Sequence, residues 1–151
     1  MIRDIRYQAA IIHNRQILLI QHREHDSGRS YWLLPGGGRQ ADETPEQCLI
    51  REVSEESQLT ITVEGLLLDD PAPAADVYQR FHTYLCQPSR FKDSPGIEPE
   101  PEAAALYAIA AVSWYALDDE ASWNTQIVAD PLTASLLRRI RATLRETLGT
   151  G

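Results

Sequence analysis

The stretch PGGGRQADETPEQCLIREVSEESQL, residues 35–59, decides how this chain is read. Thr44 is a good N-cap, and Pro45 suits the first helical position, where a missing N–H is no loss. Gln47 stands three residues after Thr44 and completes a capping box. Leu49 and Val53 are four apart and supply a buried stripe. These signals predict a helix from Pro45 to about Ser57. On it Glu52, Glu55 and Glu56 are spaced i, i+3, i+4 and share one face. Like charges so placed destabilise an isolated helix by roughly 0.2–0.5 kcal/mol per pair. A bound divalent cation turns that repulsion into coordination, and carboxylate oxygens suit hard cations, Mg²⁺ first and Mn²⁺ next. Spacing alone accommodates a solvated acidic face equally well. Pro35-Gly36-Gly37-Gly38 tips the balance. It reads as a flexible turn that lets backbone come close to a ligand, and a carbonyl there can complete a metal shell.

Upstream of this stretch, Ile5 to Ile12 and Ile17 to Ile20 are apolar and β-rich. His13-Asn14-Arg15-Gln16 between them reads as a hairpin turn, with Asn14 able to take positive φ. Gln21 to Ser30 is polar and reads as a mobile loop, and Tyr31-Trp32-Leu33-Leu34 as a short strand. Downstream, Leu59 to Leu68 reads as strand, Asp69 to Asp76 as turn, and Val77 to Cys86 as an alternating strand. Pro88 to Glu102 is a long acidic loop with prolines, a length at which loops commonly carry function. Ala103 to Trp114 is ambiguous: its alanines favour helix, while Val112-Ser113-Trp114-Tyr115 favours strand. A C-terminal helix is capped by Asp130, opened by Pro131 and ended by Gly149. Its stripe is Leu132, Leu136, Ile140, Leu144 and Leu148. Its arginines, Arg138, Arg139, Arg141 and Arg145, read most simply as a solvated face. Strands and helices mix without strict βαβ alternation, which predicts an α/β fold with a mixed sheet and helices on both faces.

The 151 residues fit one domain with a real core. Lys and Arg number 14 against 22 Asp and Glu, for a net charge of −8. That argues against general binding to nucleic-acid backbone. An acidic protein that handles anionic phosphates usually needs a cation between them. No run approaches the roughly 18–20 apolar residues of a membrane span, and no signal-peptide stretch opens the chain. The expectation is a cytoplasmic protein with no membrane partner. Cys48 and Cys86 match no metal-ligand or disulfide pattern and read as reduced packing residues.

Residues Gly37 to Leu59 resemble the Nudix box, GX5EX7REUXEEXGU, in which U is aliphatic. Gly37 is followed after five residues by Glu43. Seven more lead to Arg51-Glu52, then Val53, Ser54, Glu55-Glu56, Ser57, Gln58 and Leu59. One defining position departs: Gln58 stands where the pattern has Gly. It falls at the helix end, where a left-handed residue is expected, and Gln there costs roughly 1 kcal/mol relative to Gly. The flanks are also similar to the family, from Leu18-Leu19-Ile20 through Trp32 to Gly37, and again at Trp114 to Glu120.

The resemblance implies an α/β/α sandwich with a loop–helix–loop segment. It implies that Glu52, Glu55 and Glu56 bind Mg²⁺ (or Mn²⁺), with the carbonyl of Gly36 or Gly37 as a further ligand. Arg51 and Glu43 would pair to orient the carboxylates. The implied reaction is attack of water on a phosphoanhydride of a nucleoside diphosphate linked to another group. Glu52 is the first choice for the base, with Glu98, Glu100 and Glu102 of the acidic loop as alternatives. For substrate contacts the candidates are Arg23, Tyr78, Arg80 and Glu100. Tyr78, Arg80, His82 and Tyr84 are expected on one strand face, where a half-exposed sheet surface is the plainer explanation. Trp32 and Trp114 read as core. No subfamily marker for a particular substrate stands out, and a homodimer is compatible with this reading. An alternative is a non-catalytic nucleotide-sensing domain on the same fold. It would keep the pocket and lose carboxylates, whereas here all three and Arg51 are intact. A plain acidic interaction domain leaves the box unexplained.

Overall fold

A computed structural model describes residues 4–74, 76–89 and 107–148. Asn14 and Arg15, at φ 50° and 61°, form the two-residue turn between β1 (Ile5–His13) and β2 (Gln16–Glu24). Both central residues have positive φ, the turn whose twist matches that of paired strands. β3 (Ser30–Leu33), β4 (Gly36–Gly37), α1 (Pro45–Ser57), β5 (Ile61–Pro71), β6 (Arg80–Pro88) and β7 (Tyr107–Ala116) follow. A 3-10 turn (Glu120–Ser122), α2 (Thr125–Ala129) and α3 (Pro131–Leu148) complete the described chain.

The strands form one mixed sheet in the order β3-β2-β1-β6-β5, with β4 also against β1 and β7 against β2. β1 and β6 run parallel, with Ile5 opposite Arg80 through Ile11 opposite Cys86, and the other pairs are antiparallel. Side chains along β1 and β2 divide between the two faces. Ala9, Ile11 and Leu18 pack with Cys48, Leu49 and Val53 of α1. Ala10, Ile17 and Leu19 pack with Ala134, Leu137 and Ile140 of α3. Helices thus cover both faces, the α/β/α sandwich expected, and strands buried on both sides read as unbroken apolar runs.

Several boundaries differ from the sequence reading. β2 extends through Gln21 to Glu24, which polarity had assigned to a loop. Its backbone is paired on both edges there, by β3 and by β7, and that pairing outweighs the poor strand preference of the residues. β5 likewise runs on to Pro71, opposite Arg80. β6 starts at Arg80, so Val77 and Tyr78 lie in the bend before it. The alanine-rich segment is strand from Tyr107, since it pairs along the whole of β2. Residues 90–106, including most of the acidic loop, and Gly149 lie outside the described residues.

α3 begins at Pro131 as expected, with Asp130 Oδ1 accepting from the amide of Leu132. Its buried stripe is shifted, however. Thr133, Ala134, Leu137 and Ile140 are buried, and Leu132 is 65% exposed. Its arginines are not merely solvated. Arg138 and Arg141 pair with Glu120, Arg145 with Asp118, and Arg139 holds both oxygens of Asp70. They tie the helix to β5 and to the segment after β7. No helix among the described residues is long and apolar enough to cross a membrane.

Candidate active site

α1 is built as its sequence predicts. Thr44 accepts from the amide of Gln47, and the Gln47 side chain accepts from the amide of Thr44. The helix ends on Gln58 at φ 62°, ψ 16°, with its N–H donating to the Ser54 carbonyl. A left-handed residue therefore stands where the box pattern has glycine.

Arg51 organises the acidic face. Its Nε and Nη2 take both oxygens of Glu43 at 2.6 and 2.9 Å. Its Nη1 donates to Glu52 at 2.9 Å and to Glu55 at 3.2 Å, and Nη2 also reaches the Gly38 carbonyl at 3.2 Å. Glu43 in turn accepts from the amide of Gln40. One guanidinium so fixes the loop before the helix and two carboxylates on it. These bonds raise the Arg51 pKa and hold the Glu43 carboxyl below its ordinary value.

Glu56 is 1% exposed and accepts from the amide of Gly36 at 2.8 Å, while His22 Nε2 lies 3.8 Å from its other oxygen. Glu52 is 4% exposed, and its Oε1 accepts from Arg51 Nη1. Burial first, and the charge of Glu56 second, push its pKa up to about 9. Two buried carboxyl groups side by side call for positive charge.

Gly36 and Gly37 are not a flexible turn. They form β4, with Gly36 opposite Gln8 and Gly37 opposite Tyr7, and neither has positive φ. Their lack of side chains serves close approach. A Cβ on Gly36 would fall 2.1 Å from the Tyr7 carbonyl oxygen, and one on Gly37 2.6 Å from the Glu52 carboxyl carbon. A bare strand is thus wedged between β1 and the Glu52 carboxyl.

Among the described residues no three His, Cys, Asp or Glu side chains stand as a ready-made metal cage. Glu52 and Glu55 are turned to Arg51, and Glu56 to the Gly36 amide. The donor chemistry nevertheless fits a hard divalent cation: oxygen ligands only, and excess negative charge at two buried carboxyls. Glu52, Glu55 and Glu56 are the residues that would hold it. The Gly37 carbonyl faces the Cys48 thiol at 3.8 Å, on the helix side. Cys48 itself is a buried packing residue whose thiol burial pushes up to about 12.

Glu52, Gly36 and Gly37 line a cavity of about 890 Å³. Arg6, Gln8, His22, Trp32, Tyr78, Phe81, Leu132 and Arg139 line it too. Of the proposed substrate contacts, Tyr78 lines the cavity from the bend before β6. Arg80 does not: it pairs with Asp69 at 2.8 Å, on the face where His82 and Tyr84 meet Tyr7 over α1. Residues of β6 with odd numbers, Phe81 and Thr83, turn the other way. Nor is Arg23 brought to the cavity. His22 and Glu24 line it, so alternation along β2 turns Arg23 outward, 3.4 Å from Ser30. Glu98, Glu100 and Glu102 lie outside the described residues. Trp32 is both core and cavity wall, held through Nε1 by Gln126, and Trp114 packs partly buried against the α1 side of the sheet.

The sequence reading missed Arg6, Gln8 and His22. The available signal was polarity at alternate positions of an apolar strand: Arg6 and Gln8 are 9% and 3% exposed.

A family model described as the NUDIX domain matches residues 5–136. A NUDIX hydrolase from Nitrosomonas europaea superposes with a TM-score of 0.70 at 17% identity, covering 93% of this chain and 90% of that one. An ADP-ribose pyrophosphatase from Streptococcus suis gives 0.63 at 20% identity, covering 92% and 90%. A MutT NUDIX hydrolase from Burkholderia pseudomallei gives 0.60 at 24%, covering 92% and 98%. In Mycobacterium tuberculosis, a protein provisionally named as an 8-oxo-dGTP diphosphatase is 50% identical over 46 residues, which is 28% of this chain and 20% of that protein. The chain spans about a fifth of the length of the curated relatives it matches. A family match across most of the chain, and box residues drawn together around Arg51 with Gly37 and Glu52 at a cavity, lead to one conclusion: the chain belongs to the NUDIX domain family.

Proposed function

We propose that this protein is a metal-dependent pyrophosphohydrolase that cleaves a phosphoanhydride bond in a nucleoside diphosphate linked to another group. The Arg51 network carries the proposal. It spends one guanidinium on holding Glu43, Glu52 and Glu55 together, and Glu52 lines a cavity large enough for a nucleotide. A solvated acidic face has no need of that arrangement, nor of a bare glycine strand against the Glu52 carboxyl. Mg²⁺, or Mn²⁺ in its place, would neutralise phosphate oxygens and lower the pKa of water when held by Glu52, Glu55 and Glu56. Glu52 takes or orients the proton of the attacking water. Arg51 keeps the carboxylates aligned, and Gly37 leaves room for them. The two reduced, buried thiols suit a cytoplasmic setting.

The test is hydrolysis of ADP-ribose, NADH, dinucleoside tetraphosphates and nucleoside triphosphates beside p-nitrophenyl phosphate, in ¹⁸O water with and without EDTA. The expected result is label on a phosphate product of an anhydride substrate, and no activity with chelator. Preferential cleavage of p-nitrophenyl phosphate, or activity surviving EDTA, would overturn the reading.

A further inference from the structure

Arg6 is a buried guanidinium with no carboxylate beside it among the described residues. Its Nη2 donates to the Leu34 carbonyl at 2.8 Å and its Nε to Gln8 Oε1 at 3.4 Å, both neutral acceptors. Its Nη1 makes no hydrogen bond to a described residue. By contrast Arg15, Arg29, Arg51, Arg80 and the arginines of α3 have carboxylate partners, while Arg23 is exposed and Arg39 half-buried, so Arg6 is the buried case. A charge held out of water without a counter-charge is costly. The cost is offset if the anion arrives as ligand, and the cavity that Arg6 lines is where it would arrive.

The surroundings hold Arg6 in place. Gln8 Nε2 donates to Thr83 Oγ1 at 2.9 Å, which fixes the amide so that its oxygen faces Arg6. Gln8 and Thr83 are buried. Gln8 also stands opposite Gly36, whose amide donates to Glu56. One strand, β4, therefore separates a cationic part of the cavity wall from the acidic face of α1. A planar guanidinium fork matches the paired oxygens of a phosphate.

We propose that Arg6, braced by Gln8 and Thr83, is the anion-binding residue of this cavity and takes a phosphate of the nucleotide other than the one held at the α1 carboxylates. This rests on the reading of the cavity as a site for a phosphoanhydride substrate.

Calorimetric titration with ADP in EDTA, using wild type, Arg6→Gln and Arg6→Lys, tests it without any need for turnover, and adenosine is the control. Arg6→Gln should weaken ADP at least tenfold and leave adenosine unchanged. Arg6→Lys should fall between the two. The thermal midpoint of Arg6→Gln should be unchanged or higher, because an unneutralised buried charge is removed. Absence of ADP binding by wild type overturns the proposal. So does affinity of Arg6→Gln within twofold of wild type, or equal weakening towards ADP and adenosine. If Arg6→Gln does not fold, Arg6→Lys against wild type decides, with equal ADP affinity overturning the idea. An enzyme inactive with Mg²⁺ on every nucleotide would sink the hydrolase reading, whereas the ADP result stands or falls by itself.

Discussion

A methyl group on Gly37 would meet the Glu52 carboxyl at 2.6 Å, so Gly37→Ala must push that carboxyl aside. Misplacing a reacting group by about 1 Å can cost on the order of 10² in rate. Gly37→Ala should therefore lose roughly that much turnover while its far-UV dichroism stays that of wild type; unchanged turnover would show that the Glu52 position is not critical. Gln58 tests the opposite case, a side chain where glycine is favoured. With φ at 62°, Gln58→Gly should be neutral or stabilising by up to ~1 kcal/mol in a urea titration, and a clear loss would contradict the strain argument. Glu43 has its pKa lowered chiefly by its hydrogen bond to Arg51, with burial opposing. A depressed folded value means that the pair's contribution is present above the ordinary carboxylate value of 4.5 and is lost as pH falls through the folded value. Wild type should exceed Glu43→Gln in stability most at neutral pH, and the two should converge in acid. A gap that widens in acid would reverse the sign and refute it.

Among the elements, α1 was legible to the residue because its signals are local: a capping box, a proline and a four-residue apolar spacing all lie within the helix. The two-residue turn at Asn14 was legible for the same reason. α3 was legible in extent and not in orientation. The i, i+4 stripe holds in part, since Ile140 is buried and Leu136 and Leu144 pack partly buried against the core, but Leu132 is exposed and the most buried positions, Ala134 and Leu137, sit a little around from it with Trp32, Leu34 and Trp123. Leu137→Ala should cost about 2–5 kcal/mol, while Leu132→Ala should stay within about 0.5 kcal/mol. Equal effects in thermal melts would restore the stripe drawn from sequence. β2 was cut short at Ile20 because polarity reports what side chains face, whereas β3 and β7 supply backbone partners that no local signal reveals.

For the whole molecule, the class of fold and the acidic face were legible and the cavity was not. Glu52, Glu55, Glu56, Arg51 and Glu43 lie within one short stretch, so their convergence follows from helix geometry and one return loop. The cavity is assembled from β1, β2, β4, the bend at Tyr78 and the start of α3. Arg6 and Gln8 reach it only because β1 pairs in parallel with β6 and antiparallel with β4. Arg23 was placed there by nearness to the predicted site and Arg80 by the strand face it shares with His82 and Tyr84, and strand alternation turns both away. We propose that Glu52 is the group that handles the proton of water in this cavity. The most direct measurement is Mg²⁺-dependent turnover of the preferred anhydride substrate by wild type and Glu52→Gln, with a thermal melt of each. Loss of such a group commonly costs ~10²–10⁴-fold in rate, and Gln, whose side-chain oxygen can still accept from Arg51 Nη1, should leave the metal-free melting midpoint close to that of wild type. Turnover within a few-fold of wild type, in a variant that melts normally, would contradict the account.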